Sequence, residues 1–470
     1  MAPGASAHRL NSWCNYRYST PLIGIWKMNI HHLAISKLIN GGYGLGRLDD
    51  GRAAMVRLAL PGETVDVRLE REAKSLVAGV AVAIHAPHPR RIDPPCPYYG
   101  ACGGCDLQHG DYPCQLGIKK AVISDLLARH PEPAVRRTAA VLAEPLPSPR
   151  TFGYRQRIRL QIDPQGRPGF HRFHRHEIVA VAQCLIARDD VNRTLAALRS
   201  HPACSSLLQR TTELEIMADP DSGGAVCVFG LNRRPRPRDF DQAAALCRES
   251  APIDRIFFAG RDFPLIPAAG RGPEIGRSLS VTYPAEPGEP ALTLGWEAGG
   301  FCQVNLEQNR RLIAAVVACA APGPEESVLD LFCGMGNFSI PLAARCRRLL
   351  GIEGQGSAIR SARANALGAG LGTTEFRQSP IHAACDQLAA QGQSFDCVVI
   401  DPPRQGAPGL ARQLAALAGR CLVYISCDPA TLARDLGDLI AVGFTVRRLQ
   451  PVDMFPQTHH IETVALLEKN

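Results

Sequence analysis

The residues best equipped for covalent chemistry lie near the C-terminus. Cys427 sits in YISCDP (Tyr424 to Pro429), and Glu462 sits in HHIET (His459 to Thr463). A thiolate can attack, and a partly dehydrated carboxylate can accept a proton, so the pair suits covalent catalysis with a separate proton-abstraction step. Cys427 follows the apolar run LVYIS and precedes DPATLARDL, a helix opening whose free N–H groups favour a thiolate. The bland alternatives are an inert buried cysteine and an ordinary strand-edge glutamate. Asp428 and Pro429 mark a strand-to-helix turn and so favour the reactive reading. His459 and His460 lack a third ligand at a clear spacing and are read as loop or RNA contacts.

A second constellation precedes them. In DLFCGMGNFS (Asp330 to Ser339), Gly334 and Gly336 allow close approach of a ligand, and Ser339 stands where a dinucleotide fingerprint has its third glycine. Glu353 ends the next apolar run, 23 residues after Asp330, where a carboxylate can accept hydrogen bonds from ribose hydroxyls. Asp401, in IDPPRQG, ends another run. Pro402 and Pro403 stiffen its loop, and Arg404 is a candidate for a substrate phosphate.

C5 methylation of a pyrimidine needs all of these groups. Uracil C5 is a weak nucleophile until a thiolate adds at C6; the enolate so formed can take a methyl group from a sulfonium donor. A base must then remove the C5 proton so that the thiolate leaves. This assigns attack to Cys427, proton abstraction to Glu462 and the donor crevice to Asp330, Glu353 and Asp401. The target base must leave its stack, which suits an unpaired RNA nucleotide.

The elements that must position these residues follow from periodicity. From residue 327 onward VLDLF, LLGIE, CVVI, LVYIS and TVALL read as strands of a buried parallel sheet, with helical stretches at 357–367, 407–418 and 429–441. This is a doubly wound, Rossmann-like α/β layout. Residues 33 to 86 alternate short apolar stretches with Gly-rich turns and predict a small OB-like β-barrel, a scaffold that often binds oligonucleotides. Between them lies a largely β region, with strands expected at 151–161 and 177–187, and a helix at 303–319 on which Asn305 and Asn309 stand one turn apart.

At 470 residues the chain requires about two or three domains. The expected division is a tail or start-site extension at 1–27, the barrel at 28–92, a central region at 93–300 and the α/β domain at 301–470. The formal charge of +8 permits a polyanionic partner. Arg155, Arg157, Arg159, Arg167, Arg172 and Arg175, interleaved with His171, His174 and His176, read as phosphate contacts, as does the cluster Arg233, Arg234, Arg236 and Arg238. The alternative is a solvated strand face. No run of about eighteen apolar residues occurs, so no membrane span is expected.

Seventeen cysteines in a cytosol-like chain argue against disulfides. Cys96, Cys102 and Cys105, spaced C-x5-C-x2-C, look like three ligands of a metal centre, with Cys114 or the remote Cys184 as the fourth. Spacing leaves structural zinc and iron–sulfur at equal standing.

CPYYGACGGCDLQH, FCQVNLEQN, LDLFCGMGNF, DPPRQG, YISCDPATLARD and HHIETVALL, in this order, resemble the bacterial RNA (uracil-5)-methyltransferase family, especially its 23S rRNA uracil-1939 branch, over residues 29 to 468. The resemblance implies an N-terminal TRAM barrel, a central RNA-binding region around a [4Fe–4S] cluster and a Rossmann-like S-adenosylmethionine domain. It implies Cys96, Cys102, Cys105 and Cys184 as cluster ligands, Gln303, Phe332, Glu353 and Asp401 as donor-binding residues, and Cys427 and Glu462 as nucleophile and base. Phe332 stands where some relatives have tyrosine. The implied partner is structured RNA, the target being uracil 1939 of 23S rRNA flipped out of its stack; the alternative is another 23S uracil or uracil 54 of tRNA. A cytoplasmic location follows, with no membrane and no obligate protein partner. A non-catalytic RNA-binding protein is the reading from a different class, opposed by the intact Cys427 and Glu462.

Overall fold

The computed structural model describes residues 30–272, 275–285 and 291–469. The expected tail at 1–27 lies outside the described residues.

Residues 30–86 form a six-stranded sheet in the order Ile30–Ala34, Thr64–Glu72, Leu76–Ala86, Ala53–Arg57, Tyr43–Arg47 and Lys37–Ile39. Period-2 burial puts Leu33, Val56, Val65, Val67 and Val77 into one small core. Its far end is fastened by a buried ion pair, in which Arg91 Nε and a terminal guanidinium nitrogen meet Glu63 at 2.5 and 2.7 Å. Burial opposes ionisation of Glu63, but Arg91 and the amides of Leu60 and His88 outweigh it, and its pKa is lowered.

The central region is a seven-stranded sheet in the order Phe263–Gly270, Ile253–Gly260, Ala225–Leu231, Thr211–Ala218, Arg157–Ile162, Pro168–His171 and Ile178–Ala180. The expected strand at 151–161 starts at Arg157, and that at 177–187 shrinks to Ile178–Ala180. The segment after the Arg233–Arg238 cluster is a helix, Pro237–Glu249, which the sequence reading did not foresee.

The C-terminal sheet has seven strands in the order Thr374–Gln378, Arg348–Glu353, Ser327–Leu331, Phe395–Ile400, Ala418–Ser426, Glu462–Lys469 and Phe444–Val452. Apolar side chains fill both faces, which accounts for the unbroken apolar runs in sequence. One expectation is overturned here. TVALL is not a parallel strand: Glu462–Lys469 runs antiparallel to both its neighbours. The chain crosses over through the helix Pro429–Ala441 to the edge strand Phe444–Val452, then turns back between that strand and Ala418–Ser426.

The hairpin Ser278–Tyr283 and Leu292–Glu297 joins the apolar core of this sheet through Leu294 and Trp296. The helix Tyr112–Ala128, capped by Asp111, lies against the helix Pro429–Ala441 and extends Lys119 into the turn before the last strand. There Lys119 Nζ meets Asp453 Oδ1 at 2.5 Å, with both side chains sealed from water. Removing one member of a fully buried ion pair leaves an uncompensated charge. Lys119→Met is therefore expected to destabilise the protein by about 3–5 kcal/mol, and Lys119→Met/Asp453→Leu to recover a large part of that loss in urea unfolding.

Candidate active site

Strand polarity brings the two reactive side chains together. In the register between Ala418–Ser426 and Glu462–Lys469, Ser426 pairs with Thr463, so Cys427 leaves its strand beside the point where Glu462 enters the next. Asp428 then caps the following helix by accepting the Thr431 N–H at 2.8 Å, and Pro429 occupies its first turn. Cys427 lies with Asn40, Gly41, Arg404, Asp428, Pro429, His459 and His460 around a cavity of about 200 Å³. Asn40 and Gly41 come from the barrel, and Asn40 Nδ2 reaches Asp428 Oδ2 at 3.4 Å.

Burial dominates the site's electrostatics. It raises the Glu462 carboxyl to about 7, against the pull of Arg404. Burial, then the Glu462 and Asp401 carboxylates, push the Cys427 thiol up to about 12, with Arg404 again opposing. The thiolate expected from the helix opening is thus outweighed in the ligand-free state. Burial also holds His460 down to about 3, aided by His459, Arg404, Lys119 and Arg155, so its ring is neutral at physiological pH.

The donor-crevice residues gather at the carboxyl ends of adjacent strands. Asp330 lies on Ser327–Leu331, Asp401 directly follows the neighbouring strand Phe395–Ile400, and Glu353 ends the neighbour on the other side. Burial raises Asp330 to about 7; Ser339 Oγ donates to its Oδ2 at 2.5 Å, while Asp401 and Glu353 push upward. Its Oδ1 is sealed off and has no hydrogen-bond partner. Burial and Glu462 raise Asp401 well above the carboxylate range. Glu353 accepts the Gly334 N–H at 3.3 Å and the Gln355 N–H at 2.8 Å, which ties the glycine loop to the next strand.

Within that loop, Phe332 has φ +60°, a left-handed conformation that costs a bulky residue energy, and Gly334 and Gly336 follow at +55° and +90°. The sequence reading missed what holds it. Asn309 and Asn337 exchange side-chain amide bonds of 2.8 and 3.1 Å, and Asn309 also donates to the Tyr283 hydroxyl at 3.0 Å. The expected helix begins at Leu306, with Asn305 as its cap. Gln303 precedes it; its backbone carbonyl accepts from Gln156 Nε2 at 3.0 Å.

The turn from Asp453 to Ile461, which delivers Glu462, is clamped from outside the sheet that Glu462 enters. Gln457 and Gln115 bond reciprocally at 2.9 and 3.0 Å, and the amides of Asp106 and Leu107 both donate to the Gln457 carbonyl at 3.1 Å. Tyr154 donates to the Pro456 carbonyl at 2.9 Å, and Asn305 to the Met454 carbonyl at 3.1 Å. His459 pairs with Asp106. It therefore acts as a loop anchor, a role that only the distant Asp106 reveals.

Cys96, Cys102, Cys105 and Cys184 are brought within electrostatic reach of one another. Cys114 is not with them; it packs with Leu38, Leu60, Leu107, Ile118 and Val122. The basic stretch is also different from its expectation as a row of free phosphate contacts. Arg157 and Arg159 pair with Glu215, Arg167 with Asp163, Arg172 with Glu177 and Arg233 with Asp239. Arg175, His174 and His176 stay exposed.

The tRNA (Uracil-5-)-methyltransferase family model matches residues 292–470. The 23S rRNA (uracil(1939)-C(5))-methyltransferase of Pseudomonas aeruginosa strain UCBPP-PA14 is 35% identical over 452 residues, covering 93% of each chain. Its counterpart in Chromohalobacter salexigens is 34% identical, over 93% of this chain and 89% of that one. The structure of Pyrococcus abyssi tRNA (uracil-54, C5)-methyltransferase in complex with S-adenosyl-L-homocysteine shares the fold with a TM-score of 0.68 at 24% identity, over 93% of this chain and 99% of that one. The strand-end cysteine and glutamate thus stand on a backbone shared with such enzymes, and the chain belongs to the RNA (uracil-C5)-methyltransferase family.

Proposed function

We propose that this chain is an S-adenosylmethionine-dependent methyltransferase acting at C5 of uracil 1939 in 23S rRNA, with Cys427 as nucleophile and Glu462 as base. The carrying observation is the Ser426–Thr463 register, which sets the two side chains at one edge of the sheet. The site suits a base that has left its stack, since the cavity is bordered by both the barrel and the α/β domain. An RNA target carries with it the expectation of a cytoplasmic enzyme. Support for 23S rRNA over tRNA comes from relatives that match along nearly the full length.

Cys427 adds to C6 and turns C5 into a nucleophile; Glu462 then takes the C5 proton, and the thiolate departs. When bound, S-adenosylmethionine supplies the methyl group from a sulfonium. Asp330, Glu353 and Asp401 line that crevice with carboxyl groups that can accept hydrogen bonds from ribose hydroxyls and whose ionised forms a cationic donor would favour. Gln303, Phe332, Gly334 and Gly336 complete it; the left-handed turn lets the backbone come close to the ligand.

Residues 28–92 are read as a TRAM-type RNA-binding barrel, 93–300 as an RNA-binding region and 301–470 as the catalytic domain. Cys96, Cys102, Cys105 and Cys184 would hold a [4Fe–4S] cluster. The Gly104 N–H donates to Cys102 Sγ at 3.4 Å, and the amides of Tyr98 and Tyr99 beside Cys96, the Gln108 side chain beside Cys105 and the amides of Ile186 and Ala187 beside Cys184 favour the anionic sulfurs. That is a setting for bound thiolates. Among the described residues no three of these sulfurs lie mutually within 4.8 Å. Tetrahedral zinc would bring them to about 3.8 Å, so the spacing favours a polynuclear group. Methyl transfer from a sulfonium needs no electron from such a group.

The decisive experiment maps 5-methyluridine by mass spectrometry in rRNA and tRNA from a strain lacking this gene, complemented with wild type or Cys427→Ala. One mark restored by wild type alone is expected; a mark in tRNA would overturn the substrate. Glu462→Gln is expected to form the covalent RNA adduct and stall its release, whereas wild-type release should rise through about pH 7 as the carboxylate forms. A mutant releasing product at the normal rate removes Glu462 from the mechanism. Because Glu462 raises the Cys427 pKa, the same substitution should lower it and speed iodoacetamide labelling of the ligand-free thiol at pH 8. Labelling no faster than in wild type would contradict that electrostatic account.

A further inference from the structure

Arg157, Arg159, Arg167 and Arg172 have carboxylate partners and Arg175 is exposed, but Arg155 is half-buried and makes no salt bridge among the described residues. Its Nε is sealed from water and has no hydrogen-bond partner. A charge drawn away from water is costly unless an anion compensates it. Cys105, Cys184 and the Tyr154 phenol are within electrostatic reach of the guanidinium.

The same residue touches the turn that delivers Glu462. Its guanidinium lies 5.6 Å from the ring centre of Phe455. It also lies within electrostatic reach of the Tyr154 hydroxyl, which donates to the Pro456 carbonyl at 2.9 Å. Its backbone is fixed in the opposite direction: the Arg155 N–H donates to the Ile186 carbonyl at 2.8 Å, and its carbonyl accepts from Arg188 at 2.9 Å, both just beyond Cys184.

We propose that Arg155 is a positioning residue: the counter-cation of the metal group held by Cys96, Cys102, Cys105 and Cys184, which it links through Phe455 and Tyr154 to the catalytic turn. This rests on the iron–sulfur reading. Four cysteine thiolates around a [4Fe–4S] core leave the assembly anionic, and the guanidinium supplies the missing compensation. Binding of the group then fixes the turn by fixing Arg155, with no electron transferred.

The test uses the full chain, purified without oxygen, as wild type, Arg155→Met and Arg155→Lys, with iron content, cluster reduction potential and steady-state methylation of an rRNA fragment measured in each. Removing a nearby cation disfavours the more negative, reduced cluster. Arg155→Met should therefore shift its potential to more negative values, and Arg155→Lys should restore most of the shift. In Arg155→Met, kcat should fall on the order of a hundredfold while KM for RNA stays near wild type, since the base is misplaced and no phosphate contact is lost. An unchanged potential in Arg155→Met overturns the proposal, as does a loss confined to KM, which would make Arg155 an RNA contact. A wild-type protein without iron overturns the iron–sulfur reading and this inference with it.

Discussion

The reversed strand Glu462–Lys469 is the constraint on which the site depends. In a wholly parallel sheet, a residue entering a strand lies at the amino edge, a full strand length from residues that leave its neighbour. For eight residues that is about 26 Å. Threading this strand antiparallel between Ala418–Ser426 and Phe444–Val452 puts its first residue at the carboxyl edge, beside Cys427 and in the crevice formed by Asp330, Glu353 and Asp401. A methyl donor bound along the carboxyl edge and a nucleophile at a strand end are generic to open α/β sheets. The base is added by one reversal of chain direction.

That convergence has an electrostatic cost. Asp330, Asp401, Glu462 and Cys427 are all dehydrated; Asp401 further raises Asp330, Glu462 raises Asp401, and both raise Cys427, while Arg404 opposes the shifts of Cys427 and Glu462. Ligand-free, the site therefore favours neutral acids and a neutral thiol. A positive charge entering this region would favour the anionic forms of both the Cys427 thiol and the Glu462 carboxyl.

Much of this was legible in the sequence, and the failures have definite physical causes. LVYIS followed by CDP was enough to put Cys427 at a strand-to-helix turn, because an apolar run, an Asx cap and a first-turn proline each act locally. The polarity of TVALL was not local. It depends on Phe444–Val452, whose sequence FTVRRLQPV hides a strand behind two arginines, and missing that strand inverted the direction of the next. The ion pairs of the arginine stretch were hidden for the same reason, since Glu215 lies on a strand about fifty residues away in sequence and only cross-strand pairing brings it opposite Arg159 and beside Arg157. By contrast, Cys114 stands at helical spacing with Ile118 and Val122, a core stripe that explains its separation from Cys184.

The position of Glu462 is set largely from outside the sheet that carries it. Asp106, Gln115, Lys119, Tyr154 and Asn305 all bond the turn at 453–459, and all lie in segments that precede the glycine loop. A turn of this length would otherwise sample many conformers, and a displacement of 1 Å at a catalytic group can cost about a hundredfold in rate. Gln457, held with φ +71° by its reciprocal bonds to Gln115, is the point at which that freedom is removed. The central region thus has a task beyond any contact with RNA: its first helix and the Cys105–Leu107 segment form the mould in which the proton acceptor is set. Cys427 and Glu462 both lie in the C-terminal sheet, yet the geometry between them belongs to the whole chain.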